Sequence, residues 1–323
     1  MEKYLITGFS GFVSRHFLEF LESRGTHASI LGIDIHEPKF DTRRFRRIKC
    51  GFESLDLMDD RRTQEVIYRF QPNYILHLAS YSSVMYSWKN PAWSFQNNTN
   101  IFLNLLEVVR HLNLDARILS IGSSEEYGNV SDSELPLREE QPLRPVSPYA
   151  VARVSQEMLS RVYVDGFGMD VVITRSFNHL GPGQNEVFVV SSFTKQVAEA
   201  SKNGITAMVM KTGDLSIIRD FTDVRDVVRA YHLLLTKGRK GEVYNVCSGK
   251  GVTLANIISL LSQRTGIVIT TTTDAKLVRP SDNRAIVGSN RKISDAVGWE
   301  PEISLDRSLA DILLDWETRL GTE

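Results

Sequence analysis

Near its start the chain reads Lys3-Tyr4-Leu5-Ile6-Thr7-Gly8-Phe9-Ser10-Gly11-Phe12-Val13-Ser14-Arg15-His16-Phe17, and this stretch decides the fold. The apolar run of residues 4–6 predicts a buried strand, and the apolar residues from position 17 onward predict a helix. Between them, Gly8 permits a tight turn, and Gly11 lets a pyrophosphate approach the backbone while the free N–H groups of the helix face its charge. Ser14 stands where a third glycine would allow close helix–strand packing, so we expect it to be tolerated with slightly looser packing. The stretch therefore predicts a nucleotide-binding turn directly after the first strand.

Length and composition narrow the class of protein. The 323 residues suit one large domain or two modest ones, and a hydrophobic share of 42% is enough for a full core. The net charge is −1, from 38 basic and 39 acidic side chains. This balance gives no reason to expect a nucleic-acid or membrane-surface partner, so any anion site must be local.

The cysteines and the N-terminus bear on the compartment. Cys50 and Cys247 lie far apart and have no metal-ligand spacing, so we expect inert thiols in a reducing compartment and no metal site. The first residues run into a strand without the apolar segment of a signal peptide, and no apolar run approaches membrane-spanning length. These features predict a cytoplasmic protein.

The rest of the chain alternates strand and helix patterns. Strands are predicted at 29–34, 52–57, 74–80, 116–121, 171–175 and 242–246, and the intervening helices include 59–70, 95–112 and 149–164. Such alternation indicates right-handed βαβ units, so the predicted fold class is α/β: a Rossmann-type doubly wound parallel sheet with a smaller C-terminal α/β substrate domain. Residues 1–175, with returning segments at about 220–246, are assigned to the nucleotide-binding domain. Residues 176–219 and 247–323 are assigned to the substrate domain.

An acidic residue ends the second predicted strand. In a dinucleotide fold the Asp34 carboxylate would accept hydrogen bonds from the ribose hydroxyls and repel a 2′-phosphate, which argues for NAD(H) over NADP(H). A plain loop acid is the alternative, and the glycine turn before it favours the binding role. The arginines that follow are interpreted as a solvated basic face, although they could serve a 2′-phosphate; they are Arg43, Arg44, Arg46 and Arg47.

A serine and a tyrosine stand where chemistry is expected in an open parallel sheet. Ser123 follows the strand at 116–121, and Tyr149 begins the next long helix, so both lie near the carboxyl ends of strands, where ligands bind. A tyrosine there can exchange a proton with a substrate oxygen if a nearby cation favours the phenolate. Arg153, four residues on, shares a helix face with Tyr149, and Ser123 could hydrogen-bond the same oxygen. Taken alone, the pair would not exclude an amphipathic helix with one exposed arginine.

Together these motifs resemble those of the extended short-chain dehydrogenases/reductases, over essentially the whole chain. The resemblance rests on Thr7-Gly8-x-x-Gly11-Phe12, Asp34, Asp56-Leu57, the Ser123 segment and Tyr149. Within that family, three stretches look like the reductases that act on GDP-4-keto-6-deoxy-mannose: residues 122–128, 177–184 and 219–226. Residues 243–249 are also similar.

The resemblance implies a set of site residues. Those that would contact the cofactor, NAD(H), are Gly8, Gly11, Phe12, Val13, Asp34, Asp56, Leu57, Leu78, Ala79, Ser80, Asn98, Tyr149, Arg153 and Phe177. Those that would contact a sugar nucleotide, a GDP-sugar being favoured, are Ser123, Ser124, Glu125, Asn178, Arg219, Arg279 and Asp282. Arginine forks suit the oxygens of a diphosphate. The helices at 95–112 and 149–164 resemble those that form a four-helix homodimer interface in the family.

One departure from the family pattern bears on activity. The family has Tyr-x-x-x-Lys, and this chain has arginine at the lysine position. Arginine keeps the charge but is longer, planar and forked, so the exchange is not conservative. From the sequence we expect Arg153 to hold the cofactor ribose but to activate Tyr149 less well than lysine does, so that Arg153→Lys raises kcat.

Three functions stay open at this point. The first is an NAD(H)-dependent reductase of a nucleotide-linked 4-keto-6-deoxy-hexose, with Tyr149 as proton donor, Ser123 orienting the oxygen and Arg153 assisting. The second is a nucleotide-sugar 4,6-dehydratase or epimerase with retained NAD, because Glu125 matches the position of a dehydratase's catalytic base. The third is a non-catalytic sugar-nucleotide binder, with Ser14 and Arg153 as signs of lost chemistry.

Overall fold

The computed structural model describes residues 1–277 and 283–321 of the chain. Its largest feature is a seven-stranded, all-parallel sheet. The strands are β1 Glu2–Thr7, β2 Ala28–Asp34, β3 Ile48–Ser54, β4 Tyr74–His77, β5 Arg117–Ser123, β6 Val171–Ser176 and β10 Val243–Val246. Across the sheet they lie in the order β10-β6-β5-β4-β1-β2-β3. The helices between them are α1 Phe12–Ser23, α2 Asp60–Phe70, α3 Val84–Lys89, α4 Pro91–His111, α5 Pro148–Phe167 and α7 Val224–Lys237. This doubly wound sheet confirms the predicted fold class.

Both faces of the sheet are buried, as a parallel sheet requires. Successive side chains of a strand point to opposite faces. On β1, Tyr4 and Ile6 therefore join the core under α1 and α7, while Leu5 joins the core under α2, α4 and α5. Phe17, on α1, is fully buried in the first of these cores. The apolar run that predicted the first strand thus serves two cores at once.

A second group of elements packs around a separate core. Its strands are β7 Asn178–Leu180, β8 Ala207–Thr212, β9 Ile218–Asp223, β11 Gly251–Thr253, β12 Val268–Thr273 and β13 Ala285–Ile286. Its helices are α6 Val189–Lys202, α8 Leu254–Thr265 and α10 Leu305–Gly321, whereas α9 Arg291–Val297 packs its Ile293 and Val297 into the core under α1 and α7. β9 lies between β11 and β13 and also pairs with β7, and β8 pairs with β12. Helices α6, α8 and α10 close the core over these strands.

Several predicted boundaries are wrong. The third strand is Ile48–Ser54 rather than residues 52–57, because the strand pairs along its whole length with β2 and ends where Asp34 ends that neighbour. α4 begins at Pro91 instead of residue 95, with proline in the first turn, where its missing N–H costs nothing. β9 was not predicted; it pairs with β7 and ends at Asp223, directly before α7 begins.

Two observations concern the expectations about cysteines and membranes. Cys50 and Cys247 are both unpaired thiols, and burial raises the pKa of each, that of Cys50 to about 12. Within residues 1–277 and 283–321, no helix combines the length and the apolar character that crossing a membrane requires.

Candidate active site

The glycine turn after β1 leaves no room for a side chain at Gly8. Gly8 has a φ of +68°, and a Cβ there would lie 2.7 Å from the backbone nitrogen of Ala79, at the end of β4. The same Ala79 N–H donates to the hydroxyl of Thr7 at 3.3 Å. Only glycine tolerates both the positive φ and the close approach. The turn predicted at Gly8 therefore lies directly against the backbone that follows β4.

The start of α1 is open to an anion. Gly11 is the N-cap, no side chain in the described part of the protein caps the first turn, and the Gly11 N–H donates back to the Gly8 carbonyl at 3.1 Å. The first amides of the helix, including those of Phe12 and Val13, are therefore open to the oxygens of a diphosphate. Ser14 is fully buried, and its Oγ has no hydrogen-bond partner in the described part of the chain. A dinucleotide diphosphate fits this turn.

Asp34 braces the glycine turn from the end of β2. Its Oδ2 accepts the Ser10 N–H at 3.0 Å, and its Oδ1 accepts the His36 N–H at 3.1 Å. The Ser10 hydroxyl donates to the His36 carbonyl. Each carboxylate oxygen keeps a second lone pair, so the carboxylate can still accept the hydroxyls of an adenosine ribose. Asp34 is therefore placed for the role predicted for it.

The arginines that follow Asp34 pair with local acids. Arg43 pairs with Asp41 at 2.9 Å, and Arg44 pairs with Glu19 of α1. The backbone N–H groups of residues 46 and 47 donate to the Glu22 carboxylate at 3.0 Å. These pairings agree with the interpretation of this segment as a solvated basic face.

Tyr149 and Arg153 lie in the first turns of α5. Ser147 caps the helix, its hydroxyl accepting the Ala150 N–H at 3.1 Å, and Pro148 follows in the first turn. This local sequence begins the helix so that Tyr149, which is 6% exposed, faces the sheet. Arg153 is 5% exposed, which excludes the alternative of an exposed surface arginine.

The Arg153 guanidinium ties Tyr149 to the ends of two strands. Nε donates to the Tyr149 hydroxyl at 3.2 Å, and Nη1 donates to the Ile121 carbonyl of β5 at 2.8 Å and to Gln156 Oε1 at 2.7 Å. Nη2 donates to the Ser80 hydroxyl, just beyond β4. Among residues 1–277 and 283–321, four of the five guanidinium N–H groups thus have partners, and one on Nη2 is left for a ribose hydroxyl. The Arg153 side chain therefore connects Tyr149 to the ends of β4 and β5.

Gln156 is a part of this arrangement that the sequence interpretation missed. Its amide Nε2 donates to the Ser120 hydroxyl at 2.9 Å and to the Ile121 carbonyl at 3.1 Å, while its Oε1 accepts from Arg153. It lies one turn beyond Arg153 on the same buried face of α5. Its spacing of three residues from Arg153 was the only signal in the sequence, and such spacings are common in helices.

Ser123 ends β5 and caps the short 3-10 helix Ser124–Tyr127. Its hydroxyl oxygen accepts the Glu125 N–H at 3.2 Å, which leaves the hydroxyl proton free to be donated. Its own N–H donates to Glu126 Oε1 at 2.6 Å, which completes a capping box. Ser124 is buried and Glu125 is half-buried in the same short helix. Glu126 is a second residue near the site that the sequence interpretation missed.

Four of the residues predicted to contact the cofactor make contacts within the described protein that stabilise loops and the hydrophobic core. Asn98 Oδ1 accepts the Tyr81 N–H at 2.8 Å, and Asn98 Nδ2 donates to the Tyr81 carbonyl at 3.2 Å. The amide of Asn98 therefore fixes the loop after β4. Asp56 accepts the Met58 N–H, Leu57 is buried in the core, and Phe177 is 2% exposed among apolar side chains. Their contacts with a cofactor stay a prediction.

The nucleotide-sugar residues are only partly described. Asn178 is exposed on β7, next to β9, which carries Arg219. Arg219 is 6% exposed and donates to the carbonyls of Ile218 at 2.9 Å and Asn283 at 2.8 Å. The predicted contacts of Arg279 and Asp282 lie outside the described residues. Across the described ranges, no cluster of His, Cys, Asp and Glu could hold a metal ion.

Comparisons with known proteins support one family. A family model described as GDP-mannose 4,6 dehydratase matches residues 5–312. GDP-6-deoxy-D-mannose reductase of Pseudomonas aeruginosa is 33% identical, and the match covers 100% of this chain and 99% of the relative. The solved structure of RMD from Pseudomonas aeruginosa complexed with NADPH has a TM-score of 0.85 and 31% identity over 99% of this chain and 100% of its own. The Thermus thermophilus UDP-glucose 4-epimerase complex with NAD has a TM-score of 0.82 and 27% identity, over 97% and 98%.

Proposed function

The chain belongs to the GDP-mannose 4,6-dehydratase family, and from that premise we propose that it is an NAD(H)-dependent reductase of a GDP-linked 4-keto-6-deoxy-hexose. Family membership makes it a nucleotide-sugar oxidoreductase of the extended short-chain dehydrogenase/reductase type that uses a nicotinamide cofactor. The proposal adds the direction of the reaction, the nucleotide and the choice of NAD(H). The observation that carries it is the triad of Ser123, Tyr149 and Arg153, assembled at the carboxyl ends of β4 and β5.

The proposed chemistry is a ketone reduction at C4 of the hexose. The cofactor, when bound, supplies the hydride. Tyr149 donates its hydroxyl proton to the ketone oxygen, and Ser123 donates a hydrogen bond to the same oxygen, because its own Oγ already accepts from Glu125. Arg153 stabilises the phenolate that Tyr149 becomes, through the N–H that it directs at the phenol oxygen.

The cofactor would be held by the glycine turn and the start of α1. Gly8 and Gly11 leave room for the diphosphate, and Asp34 accepts the ribose hydroxyls. The relative in complex with NADPH shows that a 2′-phosphate can be accommodated in this fold. The preference of this chain for NAD(H) is therefore argued from Asp34 alone.

A second candidate function is a nucleotide-sugar 4,6-dehydratase or epimerase. Glu125 favours it, because this carboxylate lies two residues beyond Ser123, and the matching family model is described as a dehydratase. Such an enzyme oxidises and re-reduces its cofactor within one turnover. Cofactor stoichiometry therefore separates the two functions, because only the reductase consumes one NADH per product.

The test is incubation of the purified protein with NADH and a panel of 4-keto sugar nucleotides, following NADH absorbance, and a parallel incubation with GDP-mannose, following the sugar nucleotide as well. The expected result is loss of NADH with a GDP-4-keto-6-deoxy-hexose and little loss with UDP- or dTDP-linked ketones. Conversion of GDP-mannose without net loss of NADH would identify a dehydratase instead. Binding of the sugar nucleotide with no turnover at all would leave only the non-catalytic binder.

We further propose that the protein is a homodimer built on α4 and α5. These two helices pack on each other, and α5 exposes apolar side chains at intervals of seven and four residues: Val151, Met158 and Val162, each more than 40% exposed. A row of exposed apolar side chains along one face of a surface helix is typical of a protein–protein interface. A second copy would cover it by two-fold symmetry.

A further inference from the structure

A buried carboxyl lies directly behind Ser123. Glu126 is fully buried, and its Oε1 accepts the Ser123 N–H at 2.6 Å. A Cβ at Gly122 would lie 2.5 Å from the same oxygen, so the backbone before Ser123 is shaped to admit this carboxyl. Glu126 thus contacts the strand end that carries Ser123, without being part of the chemistry described above.

Glu126 interacts with a second buried carboxyl, Glu157 of α5, close enough for a side-chain hydrogen bond. Two arginines hold Glu157: Arg175 donates Nε and Nη2 at 2.9 Å, and Arg161 donates Nη2 at 2.9 Å. Glu126 Oε2 is buried and receives no donor from residues 1–277 or 283–321. Adjacent buried carboxyls cannot both ionise without a large free-energy cost, so one of the two keeps a proton.

The contacts assign that proton to Glu126. Burial alone would raise the pKa of Glu157, but the hydrogen bonds from Arg175 and Arg161 hold it below its usual value. Burial and the Glu157 charge raise the pKa of Glu126. Glu126 Oε2 can then donate its proton to Glu157, which satisfies the one oxygen that lacks a partner. The proton of Glu126 therefore completes the hydrogen bonding of both carboxyls.

We propose that Glu126, protonated and hydrogen-bonded to Glu157, is a positioning residue for Ser123. Its carboxyl fixes the Ser123 amide and, through the capping box, the direction in which the Ser123 hydroxyl meets the ketone oxygen. The inference rests on the proposed reductase function, which makes Ser123 a hydrogen-bond donor to substrate. It adds a requirement for one buried proton beside the site.

The proposal predicts an alkaline decline of kcat. The charged groups that act on Glu126 are Glu157 on α5 and Arg175 on β6. Arg161 on α5 pairs with Glu157, and Arg175 Nη1 also donates to the Glu139 carbonyl at 3.0 Å. The arginines stay charged at every pH of interest. Loss of the Glu126 proton would set two carboxylates against each other and displace the carboxyl that holds Ser123.

Two substitutions test the proposal. Glu126→Gln keeps an accepting oxygen for the Ser123 N–H, offers an N–H to Glu157 and cannot ionise. It should keep kcat near neutral pH and move the alkaline decline to higher pH. Glu126→Leu removes the acceptor and should lower kcat about 10- to 100-fold, while changing the KM of the sugar nucleotide and the Kd of NADH less than about threefold.

Glu139→Gln is the matched control, because Glu139 is a buried carboxyl that accepts the Asn245 N–H at 2.7 Å and does not touch Ser123. It should keep the wild-type alkaline limb.

An infrared measurement keeps this test separate from the proposed function. At neutral pH, the carbonyl-stretch band of protonated carboxyls should lose intensity in Glu126→Gln relative to wild type, whether or not a substrate is known. Retention of that intensity overturns the proposal, as does an alkaline limb that Glu126→Gln leaves unmoved or a kcat that Glu126→Leu leaves unchanged. If wild type reduces no 4-keto sugar nucleotide, the reductase function fails, and the infrared band still decides whether Glu126 carries the proton.

Discussion

The guanidinium of Arg153 donates its Nε proton to the hydroxyl of Tyr149 across 3.2 Å, and both side chains are at least 94% buried. The charge also lies near the face of the phenol ring, with 5.2 Å between the guanidinium carbon and the ring centre. Three further hydrogen bonds of Arg153 reach the ends of β4 and β5 and the side chain of Gln156. An arginine at this position is therefore a component of the site that holds the tyrosine in place.

This geometry reverses the expected effect of Arg153→Lys. Lysine cannot span the Tyr149 hydroxyl, the Ile121 carbonyl and Gln156 at once, and it would leave buried acceptors without donors. We expect kcat to fall about tenfold, equivalent to ~1.4 kcal/mol, with a smaller change in the Kd of NADH. Steady-state kinetics and a cofactor titration measure the two effects.

Arg138→Lys makes the same chemical change at an exposed arginine and should leave both kcat and the Kd of NADH unchanged. A rise in kcat for Arg153→Lys would restore the expectation from the sequence that arginine is the poorer residue here.

Ser123 and Tyr149 should be separable from cofactor binding. Tyr149→Phe removes the proton donor, and Ser123→Ala removes a hydrogen bond to the ketone oxygen, so kcat should fall about 10²- to 10⁴-fold in the first and less in the second. Fluorescence titration with NADH should show Kd values close to that of wild type for both variants. Because Tyr149 accepts from Arg153, Tyr149→Phe also leaves one guanidinium N–H without its partner. Turnover that survives in Tyr149→Phe would assign the proton transfer to another group, with Glu125 the first to examine.

Cofactor choice should depend on the charge of Asp34. We expect wild type to bind NADH at least about tenfold more tightly than NADPH, a difference of ~1.4 kcal/mol, because the carboxylate would face a 2′-phosphate. Asp34→Asn keeps an oxygen for the Ser10 N–H but removes the charge, so it should narrow the difference between the two Kd values. Equal affinities in wild type would mean that arginines of the segment 43–47 reach the phosphate, with Arg43 or Arg44 leaving its acid to do so.

The dimer proposal can be tested on α5. Val162 is 57% exposed and lies in the apolar stripe of that helix. Val162→Glu should shift the mass measured by light scattering at micromolar concentration from a dimer to a monomer, because a buried, unpaired carboxylate opposes association. Tyr68→Glu, at an exposed position on α2, is the control and should leave the dimer intact. A wild-type protein that is monomeric in this assay contradicts the proposal directly.

The buried hydroxyl of Ser14 should reduce stability. Ser14 Oγ is buried with no hydrogen-bond partner among the described residues, and an unsatisfied polar group costs about 1–3 kcal/mol. Ser14→Ala removes that cost and suits a helix interior, so it should raise the free energy of unfolding by about 1 kcal/mol. Thermal unfolding in the absence of cofactor is the measurement. A lower Tm for Ser14→Ala would mean that the hydroxyl contributes an interaction that the structure does not record.

The sequence by itself determined the features that depend on neighbouring residues. The glycine turn, the acid at the end of β2 and the tyrosine at the start of α5 each follow from local rules. These are a positive φ at Gly8, a strand end at Asp34, and a helix start with a serine cap and a proline in the first turn at residues 147–149. The alternation of strands and helices was equally readable, because a buried parallel strand has a recognisable apolar pattern.

Only the tertiary structure decided which side chains meet. The register of β3 is set by pairing with β2, which shifted the predicted strand by several residues. Arg153 reaches Ser80, and Glu126 faces Glu157, across 73 and 31 positions of sequence, so no periodicity connects them. The protonation of Glu126 is likewise a tertiary property, because it depends on burial and on the arginines that keep Glu157 ionised. The local chain determines where a functional residue stands, whereas contacts between distant segments determine its charge, its partners and the direction in which it acts.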